Sequence, residues 1–172
     1  CNDLGEIDLL INGAAVTTTG LLPNLESDQI DHMLEVNIRA LVAICQAVLP
    51  GMLARRRGVI VNLSSVVAAR GNRGQSVYAG SKGFVEAFTR SLAAEYGGRG
   101  VRCNAVAPGA IDAGSLKELQ SYAGDKVRQA TVASRLGTAA DVAAAVAYLC
   151  DSDGSFVNGH CLAVDGGFNR GV

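Results

Sequence analysis

Short apolar runs alternate with longer helical patterns along this chain. Apolar runs bounded by polar residues or glycines predict four strands. They are Ile7 to Asn12, Val59 to Leu63, Val101 to Ala107 and Gly159 to Val164. Strands that alternate with helical segments are typical of βαβ units and of a parallel sheet covered by helices. The pattern therefore predicts an α/β fold with a doubly wound parallel sheet.

Two long helical patterns connect the first three strands. The first can be capped by Ser27 or Asp28, and we expect it to stop near Pro50, because proline interrupts a helix. The second carries Tyr78 and an apolar stripe of period four, and it is expected to end at Gly97-Gly98. Both helical patterns predict helices that pack on the sheet.

The last third of the chain is less regular. The polar stretch from Asp112 to Arg135 has no strong periodicity, and it is expected to form a loop with a short helix. A loop of this length is a candidate lid. An alanine-rich helix follows, with Asp141 as the expected cap and Leu149 as its end.

Composition limits the functional classes. The chain has 172 residues, 49% of them hydrophobic, a size suited to one domain, and neither an internal repeat nor a linker is visible. A formal net charge of -1 argues against a nucleic-acid or anionic-membrane partner. No apolar run reaches the ~18 residues of a membrane span, and Cys1-Asn2-Asp3 does not begin a signal peptide. The expected location is the cytoplasm.

The cysteines and histidines do not suggest a metal site or a disulfide framework. Five cysteines, an odd number, are scattered without a Cys-x-x-Cys pair, so we expect small buried hydrophobes in a reducing compartment. They are Cys1, Cys45, Cys103, Cys150 and Cys161. His32 and His160 are far apart and have no ligand partners at metal spacing, so no metal is expected.

The strongest chemical signal is a tyrosine and a lysine one helical turn apart. Tyr78 and Lys82 are separated by four residues and should share a helix face, with Ser65 thirteen residues upstream. A phenol titrates near ~10, and a neighbouring cation favours its anion. The pair can therefore act in acid–base chemistry. The alternative is a surface lysine one turn after a packed tyrosine.

Five short motifs in the same order resemble the short-chain dehydrogenase/reductase family, nearly end to end. They are Leu9-Leu10-Ile11-Asn12-Gly13-Ala14-Ala15, Val36-Asn37-Ile38, Ser65 with Tyr78 and Lys82, Pro108-Gly109, and Val164-Asp165-Gly166-Gly167. The resemblance implies a Rossmann-like sheet, of which about four strands with flanking helices are the C-terminal half. It also implies one domain over residues 1–172.

The resemblance implies a role for each matching residue. Tyr78 would exchange a proton with the substrate oxygen while hydride passes between the substrate and a nicotinamide. Lys82 would lower the pKa of Tyr78 and bind the nicotinamide ribose. Ser65 would hold the substrate oxygen, and Asn37 would bind a water that restores the tyrosine proton. Asn37 lies in an otherwise apolar helix, where packing is the alternative to water binding.

The family also implies a cofactor site, either NADP or NAD, with NADP favoured. The expected cofactor-binding residues are Asn12, Ala14, Tyr78, Lys82, Pro108, Gly109 and Ile111. Four positions depart from the family pattern. Gly13 and Ala15 alter the Asn-Asn-Ala-Gly motif, Ala113 replaces a threonine after the Pro-Gly turn, and Ala68 replaces a common glycine. Ser64 and Asn62 are interpreted as structural residues.

The glycine-rich turn with which family members begin is not visible near the start of this sequence. The residue that selects NAD or NADP would lie in that part, so the preference stays open. The strand Ile7 to Asn12 would then form an apolar sheet edge. We expect the sequence to be part of a longer polypeptide. The alternative is a truncated product whose edge is covered by a partner.

Within the family, the loop from Gly71 to Tyr78 looks most like that of 3-oxoacyl-[acyl-carrier-protein] reductases. That implies reduction of a β-ketoacyl thioester, often by a dimer or tetramer built on the helices that carry Asn37 and Tyr78. Alcohol, sugar and steroid dehydrogenases have similar loops. Arg55-Arg56-Arg57 is either a solvated turn or a contact for an acidic carrier. A hypothesis of another class is a non-catalytic assembly module.

Overall fold

A computed structural model describes residues 5–112 and 131–168. Within them lies a four-stranded sheet in the order β1-β2-β3-β4, and every neighbouring pair is parallel. The strands are β1 Leu9–Asn12, β2 Gly58–Leu63, β3 Val101–Pro108 and β4 Cys161–Val164. The predicted parallel α/β fold is confirmed. β1 and β4 each begin two residues later than predicted.

Five α-helices connect or follow these strands among the described residues. They are α1 Ser27–Leu34, α2 Ala40–Arg55, α3 Val67–Arg70, α4 Ser76–Tyr96 and α5 Ala139–Cys150. A π-helical turn, Glu35–Arg39, joins α1 to α2, so the two form one continuous helical segment. The short helix α3 was not predicted. The candidate lid falls mostly on residues 113–130, which lie outside the described residues.

The first helical segment differs from its prediction at both ends. Glu26 is its N-cap, and the side-chain oxygen of Gln29 accepts from the Glu26 N–H at 3.1 Å, so the capping assigned to Ser27 or Asp28 is wrong. The expected stop near Pro50 is wrong too, because Pro50 lies inside α2. Burial of Leu49 and Met52 favours continuing the helix despite the missing proline N–H.

The other helix ends follow local capping rules. α4 ends at Gly97, as predicted, and Gly100 follows with a φ of 82°. α5 is capped by Thr138, three residues before the predicted Asp141. The Thr138 hydroxyl accepts from the Asp141 N–H at 3.2 Å, and Asp141 accepts from the Thr138 N–H at 2.7 Å. Asp141 therefore belongs to the capping box without being the cap.

The helices cover both faces of the sheet. α2 and α4 pack on one face, which we name the α4 face, around Ile60 and Cys103. α5 packs on the opposite face, named the α5 face, around Val61 and Val106. Arg102 donates to the carbonyl oxygens of Leu149, Asp151, Gly154 and Val157, and so closes the C-terminal end of α5.

β1 is an edge strand of the described sheet. Leu9 and Ile11 are 51% and 52% exposed, so the predicted apolar edge is confirmed for the described part of the chain.

Each residue of the run Arg55-Arg56-Arg57 has a bonding partner in the fold. Arg55 and Arg57 pair with Asp8, and Arg56 donates to the carbonyl of Gly98 at 3.2 Å.

The helical stretch Ser27–Arg55 is long and apolar enough to cross a membrane by length and composition alone, with a mean hydropathy of 1.6. No such stretch was predicted from the sequence. Core helices of globular proteins pass the same test, and this stretch supplies buried residues of the α4 face such as Cys45 and Met52.

Cys45 and Cys103 are buried as predicted, and both are free thiols.

Candidate active site

The carboxyl ends of β2 and β3 meet beside the start of α4. β2 is followed by Ser64 and Ser65, and β3 ends at Pro108. The Ser64 N–H donates to the carbonyl of Val106 at 2.7 Å, and the Val66 N–H donates to the carbonyl of Pro108 at 3.2 Å. This end of a parallel sheet is where open α/β folds bind ligands.

Tyr78 lies in the first turn of α4 and meets Ser65 across the site. Burial raises the pKa of the Tyr78 phenol above its usual value, and a hydrogen bond with the Ser65 side chain opposes that rise. Tyr78 was predicted to donate the proton and Ser65 to hold the substrate oxygen. The two residues thus lie near each other. Ser64, its neighbour, points elsewhere and bonds to Glu86.

Lys82 lies one turn further along α4 and is 4% exposed. Its Nζ donates to the carbonyl of Leu63 at 2.7 Å and lies 5.8 Å from the centroid of the Tyr78 ring. Burial lowers the pKa of Lys82 to about 8. The pKa of Tyr78 is raised, because burial of the phenol is the largest influence on it, and the lowering by Lys82 stays a prediction.

Asn37 lies in the π turn between α1 and α2 and is 2% exposed. Its Oδ1 accepts from the Val16 N–H at 2.8 Å, and its Nδ2 donates to the Val16 carbonyl at 2.9 Å and to Ser81 Oγ at 3.1 Å. The Ser81 hydroxyl in turn donates to the Tyr78 carbonyl at 2.7 Å. The amide therefore ties the segment after β1 to the Tyr78 turn, and both Nδ2 hydrogens are engaged.

Asn12 ends β1, directly opposite Asn62 of β2. Its Nδ2 donates to Asn62 Oδ1 at 2.8 Å, and Asn62 Nδ2 donates to Thr89 Oγ1 of α4 at 2.9 Å. The Asn12 side chain is thus part of a polar network on the α4 face. Its predicted contact with a cofactor stays a prediction, and its visible role is to join β1, β2 and α4.

The remaining predicted cofactor residues surround the same sheet edge. Ala14 is exposed just after β1. Pro108 ends β3 and Gly109 follows it, and the Gly109 N–H donates to the Val164 carbonyl at 3.0 Å. A Cβ on Gly109 would lie 2.6 Å from Asp165 Cβ, so only glycine fits. Ile111 forms an isolated parallel bridge with Gly137.

The described residues fit a nicotinamide nucleotide. The Lys82 ammonium has three donors, and the hydrogen bond to Leu63 leaves donors for a ribose hydroxyl. Gly13, Ala14 and Ala15 are exposed small residues, and a Cβ on Gly13 would meet nothing within 4 Å. No cluster that could hold a metal ion is present among residues 5–112 and 131–168.

Two residues that support the site from behind, Ser81 and Glu86, were not predicted from the sequence. Ser81 and Glu86 lie three and eight residues after Tyr78, on its side of α4. Their partners come from the π turn and from the end of β2. The helical spacing was a usable signal for both residues, whereas their partners follow from tertiary packing.

Ser65, Tyr78 and Lys82 thus lie at the carboxyl end of a parallel sheet that helices cover on both faces. A family model described as enoyl-(acyl carrier protein) reductase matches residues 2–169. A 3-oxoacyl-[acyl-carrier-protein] reductase FabG of Vibrio cholerae is 38% identical over 170 residues, covering 96% of this chain and 68% of the relative. The chain belongs to the short-chain dehydrogenase/reductase family of NAD(P)-dependent enzymes.

Other relatives widen the range of chemistry. A 2-(R)-hydroxypropyl-CoM dehydrogenase of Xanthobacter autotrophicus is 40% identical over 169 residues, covering 95% of this chain and 68% of the relative. The solved structure "ElxO with NADP Bound" matches with a TM-score of 0.91 and 30% identity, covering 97% of this chain and 69% of the other. The likeness thus extends over nearly all of this chain.

Proposed function

We propose that this chain is the catalytic part of an enzyme that reduces 3-oxoacyl thioesters, carried on an acyl carrier protein, with NADPH. The observation that carries the proposal is the Ser65–Tyr78 contact beside a buried Lys82. The likeness to FabG proteins and to an NADP-bound structure supports the substrate class and the cofactor. We further propose that residues 1–172 form one domain, and that the enzyme acts in fatty acid biosynthesis in the cytoplasm.

The chain's own residues define the steps. Bound NADPH supplies the hydride. Ser65 Oγ donates a hydrogen bond to the substrate carbonyl oxygen, and the Tyr78 hydroxyl donates the proton that completes the alcohol. A phenol with a raised pKa holds its proton until charge develops on that oxygen. Lys82 bonds the ribose and supplies positive charge beside the phenol, and Asn37 holds the turn that carries Tyr78.

Oxidation of a small secondary alcohol is a second candidate. It is favoured by the 40% identity to a 2-(R)-hydroxypropyl-CoM dehydrogenase. The same residues serve this direction, with Tyr78 accepting the proton. Sugar and steroid alcohols are further substrates of this type, and NAD replaces NADP as the oxidant in such a reaction.

We propose a homo-oligomer, a dimer or a tetramer, built on the helices that carry Asn37 and Tyr78. Leu34 and Ile44 are 39% and 45% exposed on the first helical segment, and a second copy would remove them from water. Light scattering of the purified protein tests this, since a monomer at micromolar concentration contradicts it.

The test of the function uses the full polypeptide that carries these residues. Oxidation of NADPH and of NADH is followed with acetoacetyl-CoA as a 3-oxoacyl thioester, and reduction of NADP and NAD with 2-propanol. Turnover of the thioester with NADPH supports the proposal, whereas turnover of the alcohol alone supports the second candidate. A folded oligomer that binds neither nucleotide supports the non-catalytic assembly module.

A further inference from the structure

One acidic residue behind the active site has contacts that the catalytic roles above do not use. Glu86 lies one helical turn after Lys82 and two turns after Tyr78 on α4, and its side chain is 17% exposed. The Ser64 hydroxyl donates to Glu86 Oε1 at 2.9 Å. Burial and the nearby Glu86 carboxylate raise the pKa of the Cys161 thiol of β4. The bond from Ser64 joins the segment after β2 to α4.

Ser64 stands between the two residues that contact the catalytic side chains. The carbonyl of Leu63 accepts from Lys82 Nζ, and the side chain of Ser65 bonds to Tyr78. Ser64 itself is 4% exposed, and its N–H is already bound to Val106 of β3. Its hydroxyl donates to Glu86 Oε1 at 2.9 Å and also lies 3.2 Å from the Lys82 carbonyl, so this hydroxyl holds the segment 63–65 from the α4 side, with Glu86 as the nearer acceptor.

The other contact of Glu86 is weaker. Arg90 lies 4.0 Å from Glu86, one turn further on, and its side chain is 58% exposed. Exposed ion pairs at this spacing contribute little to stability, because water screens them. A hydrogen bond to a charged group contributes more. The Ser64 bond is thus the contact through which Glu86 can affect the site.

We propose that Glu86 is a positioning residue, which acts through Ser64 to keep the Leu63 carbonyl and the Ser65 hydroxyl within reach of Lys82 and Tyr78. This inference rests on the proposed function for its kinetic consequence. A displacement of about 1 Å at reacting groups can lower the rate by about 100-fold. Loss of one such tie should therefore lower kcat without removing the binding contacts.

The kinetic test compares five variants of the full polypeptide. Glu86→Ala and Ser64→Ala are each expected to lower kcat about 10-fold, with KM changed less than about 2-fold. The double variant should fall no further than Ser64→Ala, because Ser64→Ala already removes the hydroxyl that bonds to Glu86. Glu86→Gln keeps an oxygen that accepts from Ser64, and it should restore most of the rate. Arg90→Ala is the matched control and should leave kcat unchanged.

Two results would overturn the inference: wild-type kcat in Glu86→Ala, or additive losses in the double variant. A second measurement needs no turnover. Amide hydrogen exchange over residues 63–67 should become faster in Glu86→Ala and Ser64→Ala, while exchange in α5 stays as in the wild type. Unchanged exchange at 63–67 contradicts the inference even if no substrate is found. A wild-type protein that reduces no carbonyl compound contradicts the proposed function alone, and the exchange result then decides on Glu86.

Discussion

The two faces of the sheet are built differently. The α4 face contains buried polar groups, among them Asn62, Ser64 and Thr89, each hydrogen-bonded to a residue of another element or turn. The α5 face is packed with aliphatic side chains such as Val61, Val106 and Leu149. Apolar contacts stabilise without fixing direction, whereas hydrogen bonds hold groups at defined angles. The polar face is the one that leads to Tyr78 and Lys82.

This difference predicts that substitutions on the α4 face change activity and that those on the α5 face change stability. Tyr78→Phe should have the largest effect on activity. It removes only the hydroxyl that exchanges the proton, so kcat/KM for carbonyl reduction should fall about 10²–10⁴-fold. Thermal unfolding should stay close to that of the wild type. Steady-state kinetics and a melting curve check both expectations.

The matched control for this substitution is Tyr148→Phe. Tyr148 lies on α5 and is 45% exposed, so removing its hydroxyl should leave the rate unchanged. Near-normal turnover in Tyr78→Phe would sink the role of Tyr78. Equal losses in both variants would mean that the assay reports folding rather than chemistry.

Leu149→Ala should have the largest effect on stability. Leu149 is 0% exposed in the α5 face, and such a truncation lowers the free energy of unfolding by about 2–5 kcal/mol. Because Leu149 packs on the face of the sheet opposite α4, which carries Tyr78 and Lys82, kcat should stay within about 2-fold of the wild type. Urea denaturation and kinetics on the same samples measure the two quantities. Leu22→Ala, at an exposed leucine, should cost about 0.5 kcal/mol or less.

Much of this contrast could be predicted from the sequence, because periodicity and spacing are local. Four apolar runs predicted the parallel strands, and the interval from Tyr78 to Lys82 placed both on one face of α4. The hydrogen-bond partners could not be predicted. Ser64 meets Glu86 across 22 residues, and that pairing depends on how α4 lies on β2.

The errors have the same physical origin. Pro50 stays inside α2 because the tertiary burial of its neighbours outweighs a local preference. The cap of α5 was misplaced because both Thr138 and Asp141 suit the position, and only the backbone geometry distinguishes them.

The pH dependence of stability should reveal the cost of burying Lys82 on the polar face. The pKa of Lys82 is lowered from 10.5 to about 8 by burial, so between these pH values the unfolded chain binds a proton that the folded protein does not. The contribution of Lys82 to the free energy of unfolding should therefore rise with pH from about 8 to 10.5, while the buried thiols of Cys45, Cys103 and Cys161, whose pKa values are raised by burial, oppose it. The gain should be about 3 kcal/mol or less, from 1.36 kcal/mol for each pKa unit.

The comparison with Lys82→Met isolates this contribution, since the other titrating groups remain. Denaturant titrations of the nucleotide-free proteins at several pH values between 7 and 11 give the two curves. The wild type should gain stability relative to the variant as pH rises through this window. Parallel curves would show that the pKa of Lys82 is the same in the folded and unfolded chains.

A reciprocal exchange of valine and threonine gives the smallest effects and the most direct test of the two faces. Thr89 is 1% exposed, accepts from Asn62 and donates to the Val85 carbonyl at 2.8 Å. Thr89→Val keeps the shape but leaves the Asn62 amide without its best acceptor, and it should cost about 1–2 kcal/mol. Val61→Thr places a hydroxyl among the aliphatic side chains of the α5 face and should cost about 1–3 kcal/mol. Chemical denaturation of both variants measures these losses. If Thr89→Val were as stable as the wild type, apolar packing would hold the α4 face as it holds the α5 face, and its polar groups would have no part in fixing the site.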